Sequence, residues 1–281
     1  MPRTLHDMVV VITGASAGIG KALAEELNHR GARLALSARR VDRLEELNRA
    51  LGGKHLVVQA DVARRDECEA LIEKAIAHFG RIDTLVCNAG FGVYIPVADT
   101  SPTEVRRLFE TNVYGTTDCI HAAVPHMRKQ DPRDGFRGQI MIVSSAAARR
   151  TPPYLGIYGA TKAAQLMLAE AMRVELRDAK IAVTSVHPIM TKTEFGRVAE
   201  SASKVKIPED RRATSQSAEH VAHTMVRAIE DPKPEVWPSR PSRWALSLAT
   251  LLPGTTDRLL RKFRQKVETE NPNDETRMPN Q

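Results

Sequence analysis

Short, almost unbroken apolar runs, separated by longer stretches of helical periodicity, constrain this chain more than any other feature. Residues 9–13 read VVVIT and residues 139–144 read QIMIVS. A strand with one solvated face alternates apolar and polar side chains. A run that is apolar throughout belongs to a strand covered on both faces, as in a parallel sheet. Segments 9–13, 33–38, 55–59, 84–88, 139–144 and 181–187 are therefore predicted strands, and helical patterns fill 19–30, 41–51, 64–78, 102–127, 158–177 and 218–230. Ser101-Pro102 supplies a capping residue followed by proline at the first helical position, while Gly31 and Gly80 are stop signals. Parallel strands joined through helices cross over with a right hand. The expected fold is α/β, a doubly wound parallel sheet.

The 281 residues suit a single α/β domain with an appendage. That domain is expected over 1–235, with a C-terminal helical extension and polar tail over 236–281. Within the domain, 190–216 is poor in apolar residues and reads as a mobile substrate loop with a short helix. The run DPKPEVWPSRPSR that begins at Asp231 contains four prolines and cannot continue a helix. Beyond it, Leu259, Leu260, Phe263 and Val267 form an apolar stripe, with Arg258, Arg261, Lys262, Arg264 and Lys266 mostly elsewhere around the helix. Two readings stay open: the extension caps the substrate cleft or a subunit interface, or it lies on an anionic membrane surface.

Composition narrows the class. Hydrophobic residues make up 42% and charged residues 27%, the balance of a folded globular protein. Of the net charge of +7, residues 239–267 contribute +6, from seven Arg/Lys against Asp257. Few aromatics interleave with these cations and no nucleic-acid motif accompanies them, so a solvated helix face is expected and nucleic acid is not. No apolar run approaches the roughly 20 residues that span a bilayer, and the first residues lack the apolar core of a signal peptide. Cys68, Cys87 and Cys119 are odd in number and widely spaced, which reads as buried free thiols in a cytoplasmic protein. No metal site is expected, since His121, His126 and His187 show no ligand spacing.

Two motifs carry chemistry. Thr13-Gly14-Ala15-Ser16-Ala17-Gly18-Ile19-Gly20 follows the first strand and opens the first helix. Glycines there permit a tight turn and close backbone approach, and free N–H groups at the helix start meet a pyrophosphate. The second predicted strand ends Ser37-Ala38-Arg39-Arg40, without the acid that would bind an unphosphorylated ribose. A guanidinium forms charge-assisted bonds to a 2′-phosphate, so NADP(H) is the expected cofactor, with Arg39 the main contact and Arg40 and Ser16 its helpers. Tyr158 and Lys162 are four apart and share a helix face. A free phenol, with a pKa of about 10, is a poor base at neutral pH, and a nearby ammonium would stabilise the phenolate.

TGASAGIG at 13–20, Asp61-Val62, Asn88-Ala89-Gly90, Asn112 in TNVYG, Ser145 and YGATK at 158–162 stand in an order that resembles the short-chain dehydrogenase/reductase family, NADP type, over roughly 8–230. The resemblance implies a Rossmann fold and an oxidoreductase that moves a hydride between nicotinamide and an alcohol or carbonyl carbon of a small molecule. It places Gly14, Ser16, Gly18, Ile19 and Gly20 on the phosphates, Asp61 and Val62 beside the adenine, and Asn88, Ala89 and Gly90 along the cofactor floor. Ser145, thirteen residues before Tyr158, is selected over Ser144 to hold the substrate oxygen while Tyr158 transfers the proton. Lys162 also bonds the nicotinamide ribose, and Asn112 helps hold a water that links the lysine to solvent. Thr191 and Thr193 are expected on the carboxamide, although Ile189 stands where the family normally has glycine. The resemblance further implies a homodimer or homotetramer through the helices that hold Asn112 and Tyr158, with Ala160, Ala163, Ala164 and Ala171 allowing close approach.

Phe91, Val93, Tyr94, Ile95, Pro152, Pro153, Tyr154 and Leu155 predict a mainly apolar substrate pocket, and Arg149 and Arg150 near its mouth leave room for an acidic headgroup. A redox-inactive dinucleotide sensor or scaffold on the same fold is the alternative reading. It has no use for the serine, tyrosine and lysine. A sugar epimerase or dehydratase would carry GxxGxxG and a larger C-terminal domain.

Overall fold

The computed structural model describes residues 2–201 and 215–270. Its first strands are β1 (Val9–Thr13), β2 (Arg33–Ala38), β3 (Leu56–Gln59), β4 (Thr84–Cys87), β5 (Gly138–Val143) and β6 (Ile181–Val186). A short pair, β7 (Thr191–Lys192) and β8 (Gln216–Ser217), stands apart from the main sheet, and β9 (Glu235–Val236) closes it. All pairings in the order β3-β2-β1-β4-β5-β6-β9 are parallel. The chain winds from β1 out to β3 and then returns to β4 on the other side of β1. This reversal opens a crevice at the carboxyl ends of β1 and β4, where doubly wound sheets bind ligands.

The helices explain why β1 is apolar from Val9 to Ile12. Val10 and Ile12 pack into a layer with Leu23 and Leu27 of α1 (Gly18–His29), Leu44 of α2 (Val41–Ala50), and Val221 and Met225 of α8 (Ala218–Glu230). Val11, between them, points the other way, into a layer with Leu71 and Ile72 of α3 (Arg65–Phe79) and Ile120 and Met127 of α5 (Gly115–Lys129). Successive strand side chains face opposite sides, so a sheet covered on both faces needs an apolar residue at every step. Truncating one of these leucines to alanine costs about 2–5 kcal/mol.

Two features differ from the sequence expectation. The helix expected over 102–127 starts as α4 (Pro102–Phe109), capped by Ser101 accepting from the Glu104 N–H, but widens into a π-type turn at Glu110–Tyr114 before α5. The proline-rich run after Asp231 contains β9, a two-residue edge strand paired with Ser185 and Val186. Prolines confine it to the edge because they cannot donate to a ladder. The extension folds as two helices, α9 (Arg240–Leu251) and α10 (Pro253–Glu270). Of the loop expected over 190–216, β7, α7 (Glu194–Ser201) and β8 are seen, and 202–214 lie outside the described residues, as do 271–281 of the tail.

Cys68, Cys87 and Cys119 are free and buried. Among the described residues no helix is long and apolar enough to cross a membrane.

Candidate active site

The glycine turn sits at the crevice. Gly14 and Gly18 adopt φ of +67° and +57°, a region that disfavours side chains. A Cβ on Gly20 would lie 2.5 Å from the Gly14 carbonyl oxygen and 2.6 Å from Asn88 Nδ2. Asn88 closes this turn from the end of β4: its Nδ2 donates to the carbonyls of Thr13 (2.9 Å) and Gly14 (3.1 Å). Thr13 Oγ1 accepts from the N–H groups of Asn88 and Ala89, both at 3.1 Å. Ala17 precedes α1 and has no side chain to cap it, so the leading N–H groups and the positive end of the helix dipole are left for an anion. Thr193 packs against Gly18, where a Cβ would meet it at 3.1 Å. The expected nicotinamide wall thus lies over the phosphate turn.

Beside the glycine turn the two arginines part. Arg40 Nη2 donates to Ser16 Oγ (3.3 Å) and Nη1 to Glu194 Oε2 (3.0 Å). Arg43 Nη1 donates to both Glu194 oxygens at 2.8 Å. These guanidiniums, Arg43 first, hold the Glu194 carboxyl below the usual carboxylate range. Arg39 is 73% exposed and leans toward Asp61, with Nη1 3.9 Å from Oδ2. Arg39, Gln59, Asp61 and Arg64 help line a surface hollow of about 540 Å³. The Asp61 N–H donates to Glu67 Oε2 (2.7 Å), and Val62 is buried beneath.

The four residues expected to be catalytic converge. α6 (Gly156–Glu175) carries Tyr158 and Lys162 on one face, and Ser145 follows β5 in an extended conformation. Burial pushes the Tyr158 phenol up to about 12, with the neighbouring Ser145 side chain acting in the opposite direction. Lys162 Nζ lies 5.7 Å from the Tyr158 ring centre and donates to the Val143 carbonyl (2.9 Å) and Gln165 Oε1 (2.9 Å). Burial pulls this amine down to about 7. A lysine that lowers the phenol's pKa is thus not realised in the chain alone. The dry site that brings the amine close also weakens its hold on its proton.

Asn112 occupies the π-type turn. Its Nδ2 donates to the Phe91 carbonyl and to Thr161 Oγ1, and its Oδ1 accepts from the Phe91 N–H, all at 3.0 Å. Its side chain therefore clamps the Gly90-Phe91 backbone. A Cβ on Gly90 would lie 3.4 Å from Lys162 Nζ, which places the Asn88-Ala89-Gly90 strip beside the lysine. His187 is a packing residue. It stacks on Trp237 at 4.5 Å, reaches the Ser145 carbonyl through Nδ1 (3.3 Å), and is pulled down to about 4 by burial. Among the described residues no cluster of His, Cys, Asp or Glu could hold a metal ion.

Aromatic and apolar side chains form the cleft above Tyr158. Phe195 lies 5.5 Å from the Tyr158 ring, and Tyr94, Tyr154, Leu155, Met190, Phe263 and Val267 make one cluster with it. Phe263 and Val267 belong to α10, so the inner face of the extension covers this side of the cleft. Next to it, a cavity of about 480 Å³ is lined by Val97, Pro152, Pro153, Tyr154, Leu260, and the charged Arg150, Asp257, Arg261 and Arg264 among others. Arg150 pairs with Asp257, while Arg149 turns to Glu235 (2.6 Å). Thr191 Oγ1 bonds the Ile189 carbonyl (2.8 Å) and accepts from Gln216 Nε2 (3.3 Å). The sequence reading missed Gln165, Glu194, Thr161 and Phe195. Only Gln165 left a trace, a polar residue one turn past Lys162 on the inward face of α6.

A parallel sheet with its crevice at a glycine turn, and a serine, tyrosine and lysine at the crevice floor, define a dinucleotide-binding class of α/β protein. A family model described as short chain dehydrogenase matches residues 8–204, and the chain belongs to that family. It is 40% identical over 200 residues to 11-beta-hydroxysteroid dehydrogenase 1A of Arabidopsis thaliana, a match covering 69% of this chain and 55% of that protein. It is 32% identical over 266 residues to the uncharacterized oxidoreductase YxnA of Bacillus subtilis, covering 93% and 73%. The chain thus spans only a little over half the length of the Arabidopsis relative. Among solved structures, an alcohol dehydrogenase of the archaeon Thermococcus sibiricus complexed with 5-hydroxy-NADP aligns with a TM-score of 0.69 and 28% identity, over 82% of this chain and 95% of that one. A short-chain dehydrogenase/reductase from Burkholderia phymatum in complex with NAD shares the fold, with a TM-score of 0.78 and 24% identity, over 87% and 93%.

Proposed function

We propose that this protein is an NADP(H)-dependent oxidoreductase that interconverts an alcohol and a carbonyl on a mainly apolar substrate. The convergence of Tyr158, Ser145, Lys162 and Asn112 beside an uncapped glycine turn carries the reading. The turn fits a dinucleotide, since the space a Gly20 side chain would fill and the free N–H groups of α1 form a cradle for phosphate. Gly14, Ser16, Gly18, Ile19 and Gly20 would hold the pyrophosphate, Asp61 and Val62 the adenine, Asn88, Ala89 and Gly90 the floor, and Thr191 and Thr193 the carboxamide. Arg39 and Arg40 would hold a 2′-phosphate, with Ser16 between Arg40 and the turn. The bound cofactor supplies the hydride.

Ser145 orients the substrate oxygen and Tyr158 exchanges its proton. Because burial keeps the phenol protonated, Tyr158 stands in the chain alone as the proton donor that the reduction direction uses. Lys162 has a third N–H for a ribose hydroxyl. A sensor without catalysis would not need Ser145, Tyr158 and Lys162 brought together at the crevice. Residues 1–235 form the binding and catalytic unit, roofed by the extension. Its setting is the cytoplasm, where buried thiols stay reduced. Tyr114, Met167 and Val174 are exposed on the π-type turn and α6, the surface through which a homodimer or homotetramer would form. The outward face of α9 is proposed to rest on an anionic membrane.

The test follows NADPH absorbance across aldehydes, ketones, steroids and 3-oxoacyl thioesters, with NADH in parallel. Turnover with kcat/KM for NADPH at least about tenfold above NADH is expected, with that preference lost in Arg39→Asp/Arg40→Asp. No turnover with any carbonyl, or equal use of NADH, defeats the proposal.

A further inference from the structure

Gln165 has no role in the function proposed above, yet it is among the best-held polar side chains in the molecule. It is fully buried, and both ends of its carboxamide are engaged. Oε1 accepts from Lys162 Nζ (2.9 Å), and Nε2 donates to the main-chain carbonyl of Asn112 (2.6 Å) and to Thr116 Oγ1 (2.8 Å). Burying such a group costs free energy unless its bonds are made, and here they are made to two elements of the site.

The Asn112 carbonyl belongs to the π-type turn at Glu110–Tyr114, and it accepts from Thr116 Oγ1 (2.8 Å) and from Gln165 Nε2. The carboxamide thus bridges the lysine and the segment that holds Asn112. Lys162 has two acceptors, Val143 O and Gln165 Oε1. Among the described residues the elements around it bring no acid: β5 offers a carbonyl, the strip after β4 offers Gly90, the π-type turn offers Asn112, and α6 offers Tyr158. With no carboxylate to pair with, the ammonium depends on neutral acceptors for its charge.

We propose that Gln165 is a positioning residue for the reaction, a neutral carboxamide clamp that keeps Lys162 charged and aimed at Tyr158 while anchoring it to the Asn112 turn. This rests on the oxidoreductase reading of the same site. A carboxylate here would cancel the positive field at the phenol. A carboxamide stabilises the ammonium without adding charge, and it donates to Asn112 and Thr116 at its other end, as a carboxylate could not. The sign follows. Lys162 and Tyr158 titrate as a pair, and a proton on the amine favours the phenolate, so losing one of two acceptors in a dry site lowers the share of molecules that hold ammonium and phenolate together, and the phenolate forms at higher pH.

The experiment measures kcat/KM against pH for oxidation of 1-phenylethanol by NADP+, in wild type, Gln165→Met and Thr116→Val. Met approximates the volume of Gln without the acceptor. Thr116→Val loosens the far end of the clamp without touching Lys162. The rising limb is expected to move up by about one pH unit in Gln165→Met, the size of a lost charge-assisted bond, and to stay within about 0.2 units in Thr116→Val. Gln165→Leu carries the same expectation should the Met variant not accumulate. An unmoved limb in Gln165→Met overturns the proposal even if melting temperature falls, as does an equal shift in Thr116→Val, since a merely structural clamp gives either result. A wild-type protein without turnover on this alcohol or on the carbonyl panel would instead sink the oxidoreductase reading.

Discussion

At Tyr158 a single oxygen is asked to move a proton, and the surrounding residues decide when it can. Burial holds the phenol at about 12, so it is present as the acid through the whole neutral range. Tyr158→Phe is expected to lower kcat for carbonyl reduction by roughly 10²–10⁴-fold, the span of a lost general acid, with NADPH affinity, read by fluorescence quenching, within about threefold. A near-wild-type rate would remove the tyrosine from the chemistry. Lys162 adds a stability signature. Its amine titrates at 10.5 when free and at about 7 in the fold. Below pH 7 both folded and unfolded chains hold the proton, and the cost of burying the charge is fully present. Between 7 and 10.5 the unfolded chain binds more protons, so stability rises with pH. Across that window, urea unfolding is expected to show wild type gaining on Lys162→Met. A constant gap would mean that the amine is not desolvated as the geometry implies.

At the scale of elements, much of this fold is legible in the sequence because it rests on periodicity. The continuous apolar runs become β1 to β6, and the 3.6-residue patterns become the helices that cover them. The glycine turn was readable because backbone conformation excludes other residues at Gly14 and Gly18. What stayed hidden depends on long-range partners. The π-type turn at Glu110–Tyr114 leaves no pattern within a continuous helical signal, and β9 has only two residues between prolines. Glu194 looked like one acid in a polar loop until the fold set it against Arg40 and Arg43 at the start of α2. That ion pair carries its own expectation. The Glu194 carboxylate sits on guanidiniums that a 2′-phosphate would also seek, so the two anions compete. Glu194→Gln should tighten NADPH binding severalfold in a fluorescence titration and leave NADH binding unchanged. Weaker NADPH binding would show instead that Glu194 holds Arg40 in place for the cofactor.

Across the whole molecule, the extension joins the cleft to the outside. α10 turns Phe263 and Val267 inward onto the aromatic cluster near Tyr158. α9 has no buried residue and presents Trp244 (75% exposed), Leu248 (57%) and Leu251 (76%) outward, with Leu252 (49%) exposed just past its end. The three on the helix are spaced i, i+4 and i+7, one continuous stripe. Arg240 and Arg243 open the same helix, and Arg258, Arg261 and Lys262 follow in α10. An apolar stripe amid cations suits an anionic bilayer, where each basic residue near the surface adds about 1 kcal/mol. Two copies of this surface brought face to face would repel instead. The protein should therefore co-sediment with phosphatidylserine-containing vesicles at low salt and stay in solution with pure phosphatidylcholine. Salt of about 0.5 M, where screening is short-ranged, should weaken the binding. Trp244→Ser/Leu251→Ser should abolish it and leave turnover of a water-soluble ketone intact. Failure to sediment with phosphatidylserine at low salt rules the membrane out, and if the double variant then also shrinks the particle in ultracentrifugation, the stripe is an interface between copies of this chain.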